Sequence, residues 1–143
     1  MAMCLATLLA VGLGFQGVSH FELEARFEPP AKAGSPGAVA VRFSPLDPDV
    51  RVNEVPAPRL ELAPEQSLLV ASPGEPAETP PETDPEEPKY LDLSEAVRFP
   101  VDWAGSAVPG AHAVAADVVF FYCSVREGWC RRGKTRVEFS VSR

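Results

Sequence analysis

The sequence predicts an all-β domain, an immunoglobulin-like β-sandwich with a C-terminal cysteine hairpin. Sixteen prolines and ten glycines are spread along the chain, and proline disfavours helices because it lacks a backbone donor. The short apolar runs between them alternate with polar residues, as strands with one solvated face do. With 143 residues, 45% of them apolar, the chain can bury one core but is short for two, so we expect one domain.

Strands are predicted where apolar side chains recur at every second position. Such alternation marks residues 21–27, 39–43, 59–62, 97–101 and 135–141, with a shorter apolar run at 68–70. The first two segments are expected to be antiparallel neighbours, because a turn sequence at 34–37 joins them. Pro56 and Pro58 interrupt the run from 50 to 62, which indicates a broken or edge strand. The apolar run at 113–122 predicts a central strand paired with 135–141.

The sandwich domain is predicted to span 18–143, preceded by a leader and interrupted by one long loop. Residues 1–17 are predicted to be an export leader, because their first 15 residues are apolar, uncharged and too few to span a bilayer. A buried first strand is the alternative. Residues 73–89 contain six acids and six prolines, a composition that predicts a mobile, exposed loop. Export would place the domain in the periplasm or another extracytoplasmic compartment, with membrane contact only through an uncleaved leader.

The charge distribution excludes some functions and singles out one segment. A net charge of -7 and a pI near 4.8 argue against nucleic acid as a partner. Residues 123–136 nevertheless hold five cations and one anion, a net charge of +4, which leaves -11 for the rest of the chain. His20, His112, Cys123 and Cys130 lack the close pairing of metal-ligand motifs. We expect neither a metal nor a cofactor.

Cys123 and Cys130 flank the link between the last two predicted strands. Six residues separate them, so a hairpin turn would bring their Cβ atoms to roughly 4 Å, within disulfide range. Closing this eight-residue loop would stabilise the fold by about 2.5 kcal/mol on the chain-entropy estimate. The residues alone therefore leave a structural disulfide and a redox-active pair both open.

Several neighbours of the two cysteines are candidate supporting residues. Arg126, Arg131 and Arg132 would favour a thiolate, the reactive form of cysteine, by opposing its negative charge. Trp129 precedes Cys130 directly, and its ring would either shield the sulfur or offer a docking surface to another protein. Equally, Trp129 would serve as a cap on the core.

The segment VVFFYCSVREGWCRRGKTRVEFSV, residues 118–141, resembles the cysteine hairpin of the N-terminal periplasmic domain of the DsbD family of thiol-disulfide interchange proteins. The matching positions are Cys123, Gly128, Trp129, Cys130, Lys134, Thr135 and Val137. The resemblance implies an immunoglobulin-like sandwich and a cysteine pair that takes electrons from a membrane domain and passes them to thioredoxin-like proteins. The chain departs from the family at the aromatic cap loop, which corresponds to the segment rich in proline and glutamate, and Tyr90 is the one residue expected to substitute for the aromatic side chain there.

The function predicted from the sequence is an extracytoplasmic thiol-disulfide exchange module that works through Cys123 and Cys130. Its expected partners are thioredoxin-like or membrane thiol-disulfide proteins. The alternative is a non-catalytic immunoglobulin-like interaction domain in which the same two cysteines only fasten the hairpin.

Overall fold

The computed structural model describes residues 20–72 and 89–143, which form eight strands and no helix. The strands are β1 (Phe21–Glu28), β2 (Gly37–Pro45), β3 (Val50–Val52), β4 (Arg59–Leu62), β5 (Leu69–Ala71), β6 (Val97–Trp103), β7 (Ala111–Ser124) and β8 (Cys130–Ser142). The predicted all-β class and its C-terminal hairpin are confirmed. The leader predicted at 1–17 and all but the last residue of the loop predicted at 73–89 lie outside the described residues. In the described ranges, no helix is long and apolar enough to span a membrane.

The strands form two antiparallel sheets. One sheet has the order β1-β2-β6-β5, so the predicted pairing of the first two strands is confirmed. In the other sheet β7 is central, with β8 along one edge and β3 followed by β4 along the opposite edge. The predicted pairing of the long apolar strand with the last strand is confirmed as well. The finer assignment to the immunoglobulin-like type stays a prediction.

Aromatic side chains join the two sheets in the core. Phe120 of β7 is 3% exposed, and its ring centroid lies 5.1 Å from that of Phe43 and 5.5 Å from that of Phe21, both in edge-to-face geometry. Val39 and Val118 are completely buried beside them. Because β7 supplies inward side chains at every second position, its other positions point away from the core.

The predicted interruption at the prolines is confirmed and has a consequence for the hairpin. β3 pairs with β7 up to Val52 opposite Tyr122, and β4 resumes the pairing at Arg59 opposite Val119. The excursion between them includes a cis bond before Pro56. Asn53 begins this excursion, and its backbone N–H donates to the Phe121 carbonyl oxygen over 2.8 Å. Asn53 is therefore held against β7, close to the cysteine end.

Gly133 of β8 lies opposite Phe120, and the glycine is required there. A Cβ atom at this position would lie 2.6 Å from Cζ of Phe120. We expect Gly133→Ala to lower the free energy of unfolding by about 1–3 kcal/mol, the usual cost of overpacking, measured by urea denaturation. Gly105→Ala is the control, because a Cβ there would meet no atom within 4 Å. Equal losses in the two variants would contradict the close contact.

Candidate functional site

A five-residue loop, 125–129, joins β7 to β8. The Ser124 N–H donates to the Trp129 carbonyl oxygen over 2.9 Å, and the Gly128 N–H donates to the Ser124 carbonyl oxygen over 2.9 Å. The Ser124 hydroxyl oxygen also accepts from the Glu127 N–H over 3.1 Å. Gly128 has a φ of +74°, a left-handed conformation that glycine adopts without the steric cost of a side chain. These bonds fix the register of the hairpin up to the cysteines.

Cys123 and Cys130 are directly opposite each other in this register and form a disulfide. The S–S distance is 2.07 Å, and the Cα atoms are 4.0 Å apart. The neighbouring pair, Ser124 and Trp129, carries the backbone hydrogen bond, so the cysteines occupy the closely spaced, non-hydrogen-bonded position of an antiparallel ladder. The predicted proximity of the two cysteines is therefore confirmed.

The two sulfur-bearing residues differ in their access to solvent. Cys123 is 4% exposed, because its strand is flanked by β3 on one side and by β8 on the other. Cys130 is exposed, at the start of the edge strand β8. Sγ of Cys123 lies 3.3 Å from Oδ1 of Asn53. An attacking group therefore reaches Cys130 more easily than Cys123.

The disulfide lies on the outer face of its sheet, away from the core. Val137, Phe139 and Val141 of β8 are buried, so the alternate positions of this strand point outward. The outward positions at the cysteine end include Cys130 and Arg132, together with Phe121 and Cys123 of β7.

Two residues from other segments share this outer face. Asn53 shares it through its contact with Cys123, and Tyr90 shares it as the bridge partner of Asn53. The structure thus brings the predicted supporting residue Tyr90 to the disulfide's face.

Trp129 and Arg131 point to the opposite face of the hairpin. The Trp129 ring centroid lies 5.3 Å from that of His20 and 5.7 Å from that of Tyr122. The guanidinium carbon of Arg131 lies 4.1 Å from the Trp129 centroid, in cation–π geometry. The indole N–H donates to a carboxylate oxygen of Glu127. Of the roles open to Trp129 from the sequence, this packing matches a cap on the end of the core.

Arg126, the remaining predicted supporting residue, is engaged at the turn. Its guanidinium lies 3.1 Å from a carboxylate oxygen of Asp49 and 3.8 Å from one of Glu127. Two residues of the site were not identified as candidates from the sequence, namely Asn53 beside Cys123 and Arg51 opposite it. No local pattern marks either residue, since both reach the site through the pairing of β3 with β7.

Comparisons with known proteins identify no relative of this chain. No protein-family model, no curated protein and no solved structure matches this chain. The likeness of residues 118–141 to the DsbD hairpin stays a prediction. Any function has to be inferred from the disulfide and the side chains around it.

Proposed function

We propose that this domain is an extracytoplasmic thiol-disulfide exchange module in which Cys123 and Cys130 carry two electrons. The observation that supports the proposal is the unequal exposure of the two cysteines, one buried and one open on the outer face. Exchange requires a thiolate to reach one particular sulfur of a disulfide. Here that sulfur belongs to Cys130.

The reaction runs in two displacements. A partner thiolate attacks Sγ of Cys130, an intermolecular S–S bond forms, and the Cys123–Cys130 bond breaks with the electron pair going to Sγ of Cys123. A second partner thiolate then attacks the partner sulfur of this mixed disulfide and expels Cys130 as a thiolate. The partner leaves as a disulfide, and the domain holds two thiols after proton uptake. Donation to an oxidised partner is the reverse sequence, with Cys130 as the attacking group.

Asn53 supports the buried half of this cycle. In the disulfide, Sγ of Cys123 carries no hydrogen, so its 3.3 Å approach to Oδ1 of Asn53 is only a contact. After reduction, the Cys123 thiol becomes a weak donor that this oxygen accepts from. A satisfied polar group costs less to bury than an unsatisfied one, so Asn53 stabilises the reduced form of the domain.

The compartment and the partner class follow from the same chemistry. Disulfides persist in oxidising compartments, which supports the extracytoplasmic location proposed here. The similarity of the hairpin to the DsbD family supports thioredoxin-like or membrane thiol-disulfide proteins as partners, within an immunoglobulin-like sandwich.

A structural disulfide in a non-catalytic interaction domain is the second candidate. It is favoured by the burial of Cys123 and by the stabilisation of about 2.5 kcal/mol expected from the closed loop. The two functions differ in reduction potential, because structural disulfides usually lie below about -300 mV.

The deciding experiment is equilibration of the domain with thiol-disulfide buffers, followed by alkylation and mass counting of free thiols. We expect a potential above about -300 mV. We also expect Cys123→Ser to accumulate a mixed disulfide with a thioredoxin-like protein, because no second thiol resolves it. Cys130→Ser is the matched variant and should form far less mixed disulfide, since its remaining thiol, that of Cys123, is buried. A potential well below the threshold, with nothing trapped by either variant, would favour the structural disulfide.

A further inference from the structure

We infer that the outer face around Cys130 receives partner proteins whose reactive cysteine is surrounded by acidic side chains. The inference rests on the proposed exchange function and adds to it the kind of partner. It comes from the placement of charge relative to the exposed sulfur.

Two cations flank the disulfide on its own face. Arg132 lies two positions after Cys130 on β8, and residues with this spacing point the same way about 7 Å apart. Arg51 lies opposite Cys123 on β3, and its guanidinium donates to the carbonyl oxygens of Pro48 and Val50. Among the described residues, neither arginine forms an ion pair.

Farther from the disulfide, the cations of this face have acidic neighbours. Nζ of Lys134 lies 3.6 Å from a carboxylate oxygen of Glu61 and 3.8 Å from one of Asp117. Arg59 pairs with the same Glu61 over 3.3 Å, and Arg136 lies opposite Asp117. Uncompensated positive charge is therefore concentrated at the cysteine end of the sheet.

The positive charge beside Cys130 determines which partners are attracted to this face, although the whole chain carries a net charge of -7. At physiological salt the Debye length is about 8 Å, so charges beyond the contact are largely screened. Complementary charges beside the attacked sulfur raise the rate of productive encounter and discriminate against like-charged partners. Phe121 and Tyr90, both half-buried on the same face, add apolar surface against which a partner can pack.

Two matched probes test the inference with the reduced full chain. Each is a short peptide with a central cysteine, flanked by glutamates in one peptide and by lysines in the other, and activated as a mixed disulfide with 2-thiopyridine. The Cys130 thiolate attacks the peptide sulfur and expels thiopyridone, whose absorbance gives the rate. Cys123 then displaces the peptide thiol and closes the intramolecular disulfide, so the probe is reduced and the domain oxidised.

The measured quantity is the ratio of the two rates, glutamate peptide over lysine peptide. We expect Arg132→Gln to lower this ratio about three- to tenfold relative to the wild-type chain. Arg126→Gln should leave the ratio within about twofold, because Arg126 is paired with Asp49 at the turn. Raising the salt from about 20 mM to about 500 mM should lower the wild-type ratio and shrink the difference between wild type and Arg132→Gln.

The outcomes separate this inference from the function on which it rests. If both peptides react and neither Arg132→Gln nor salt changes the ratio of their rates, the inference of an acidic partner is overturned. The exchange function is then unaffected. Failure to react with either peptide would overturn the exchange function itself. An equal fall of the ratio in Arg126→Gln would show that overall charge acts rather than the face beside Cys130, and would also overturn the inference.

Discussion

Replacing Phe120 with alanine is expected to lower the free energy of unfolding by about 3–5 kcal/mol, because it removes the ring that joins the two sheets. Phe120 is 3% exposed and contacts Phe43 of one sheet and Tyr122 of its own, at centroid distances of 5.1 and 5.6 Å. Gly133 opposite it carries no side chain to fill the resulting cavity. The loss would be a large part of the stability of an ordinary domain, about 5–15 kcal/mol.

The matched control is Phe121→Ala, the same substitution one position along β7. Phe121 points to the outer face and is half-buried, so its truncation exposes less apolar surface and leaves no closed cavity. We expect Phe121→Ala to lose less than about half as much unfolding free energy as Phe120→Ala. Both values are taken from urea denaturation, under the condition that the dependence of the unfolding free energy on urea concentration is the same in the two variants. Equal losses would mean that the two faces of β7 are equally packed, contrary to the alternation of inward and outward side chains along this strand.

Much of the fold could be predicted from the sequence because strand signals are local. The alternation at 21–27 and 135–141 predicts which side chains face the core, and the structure places Phe21 and Val137 there. Pro56 and Pro58 similarly predict the break between β3 and β4, since proline cannot donate to a ladder. Each of these signals depends on only a few neighbouring residues.

The surroundings of the cysteines were harder to predict because they depend on long-range pairing. Asn53 and Cys123 are 70 positions apart, and only the register between β3 and β7 brings them together. The alternation of a strand also separates Trp129 from Cys130, although they are neighbours in sequence, because successive side chains point to opposite faces. The same rule directs Arg131 to Trp129 and leaves Arg132 on the face of the disulfide.

The unequal burial of the two cysteines also predicts how the reduced protein reacts with iodoacetamide. We expect Cys130 to be alkylated about tenfold faster than Cys123 or more, because a buried thiol reacts only when the structure opens locally. The measurement is peptide mapping of the carbamidomethylated cysteines by mass spectrometry over time. Similar rates for the two thiols would contradict the asymmetry on which the proposed attack at Cys130 depends.

The variant Asn53→Ala tests what protects Cys123. Removing the amide takes away the neighbour 3.3 Å from its sulfur and the acceptor for its thiol, so we expect the alkylation rate of Cys123 to rise about three- to tenfold. The alkylation rate of Cys130 should change less than about twofold, because this thiol is already exposed. Ser106→Ala is the control, because it removes a single hydrogen bond, to the Ser67 carbonyl oxygen, in a loop that precedes the other end of β7. A rise at Cys123 in both variants would indicate general loosening of the fold, whereas a rise confined to Asn53→Ala would identify this side chain as the cover of the buried sulfur.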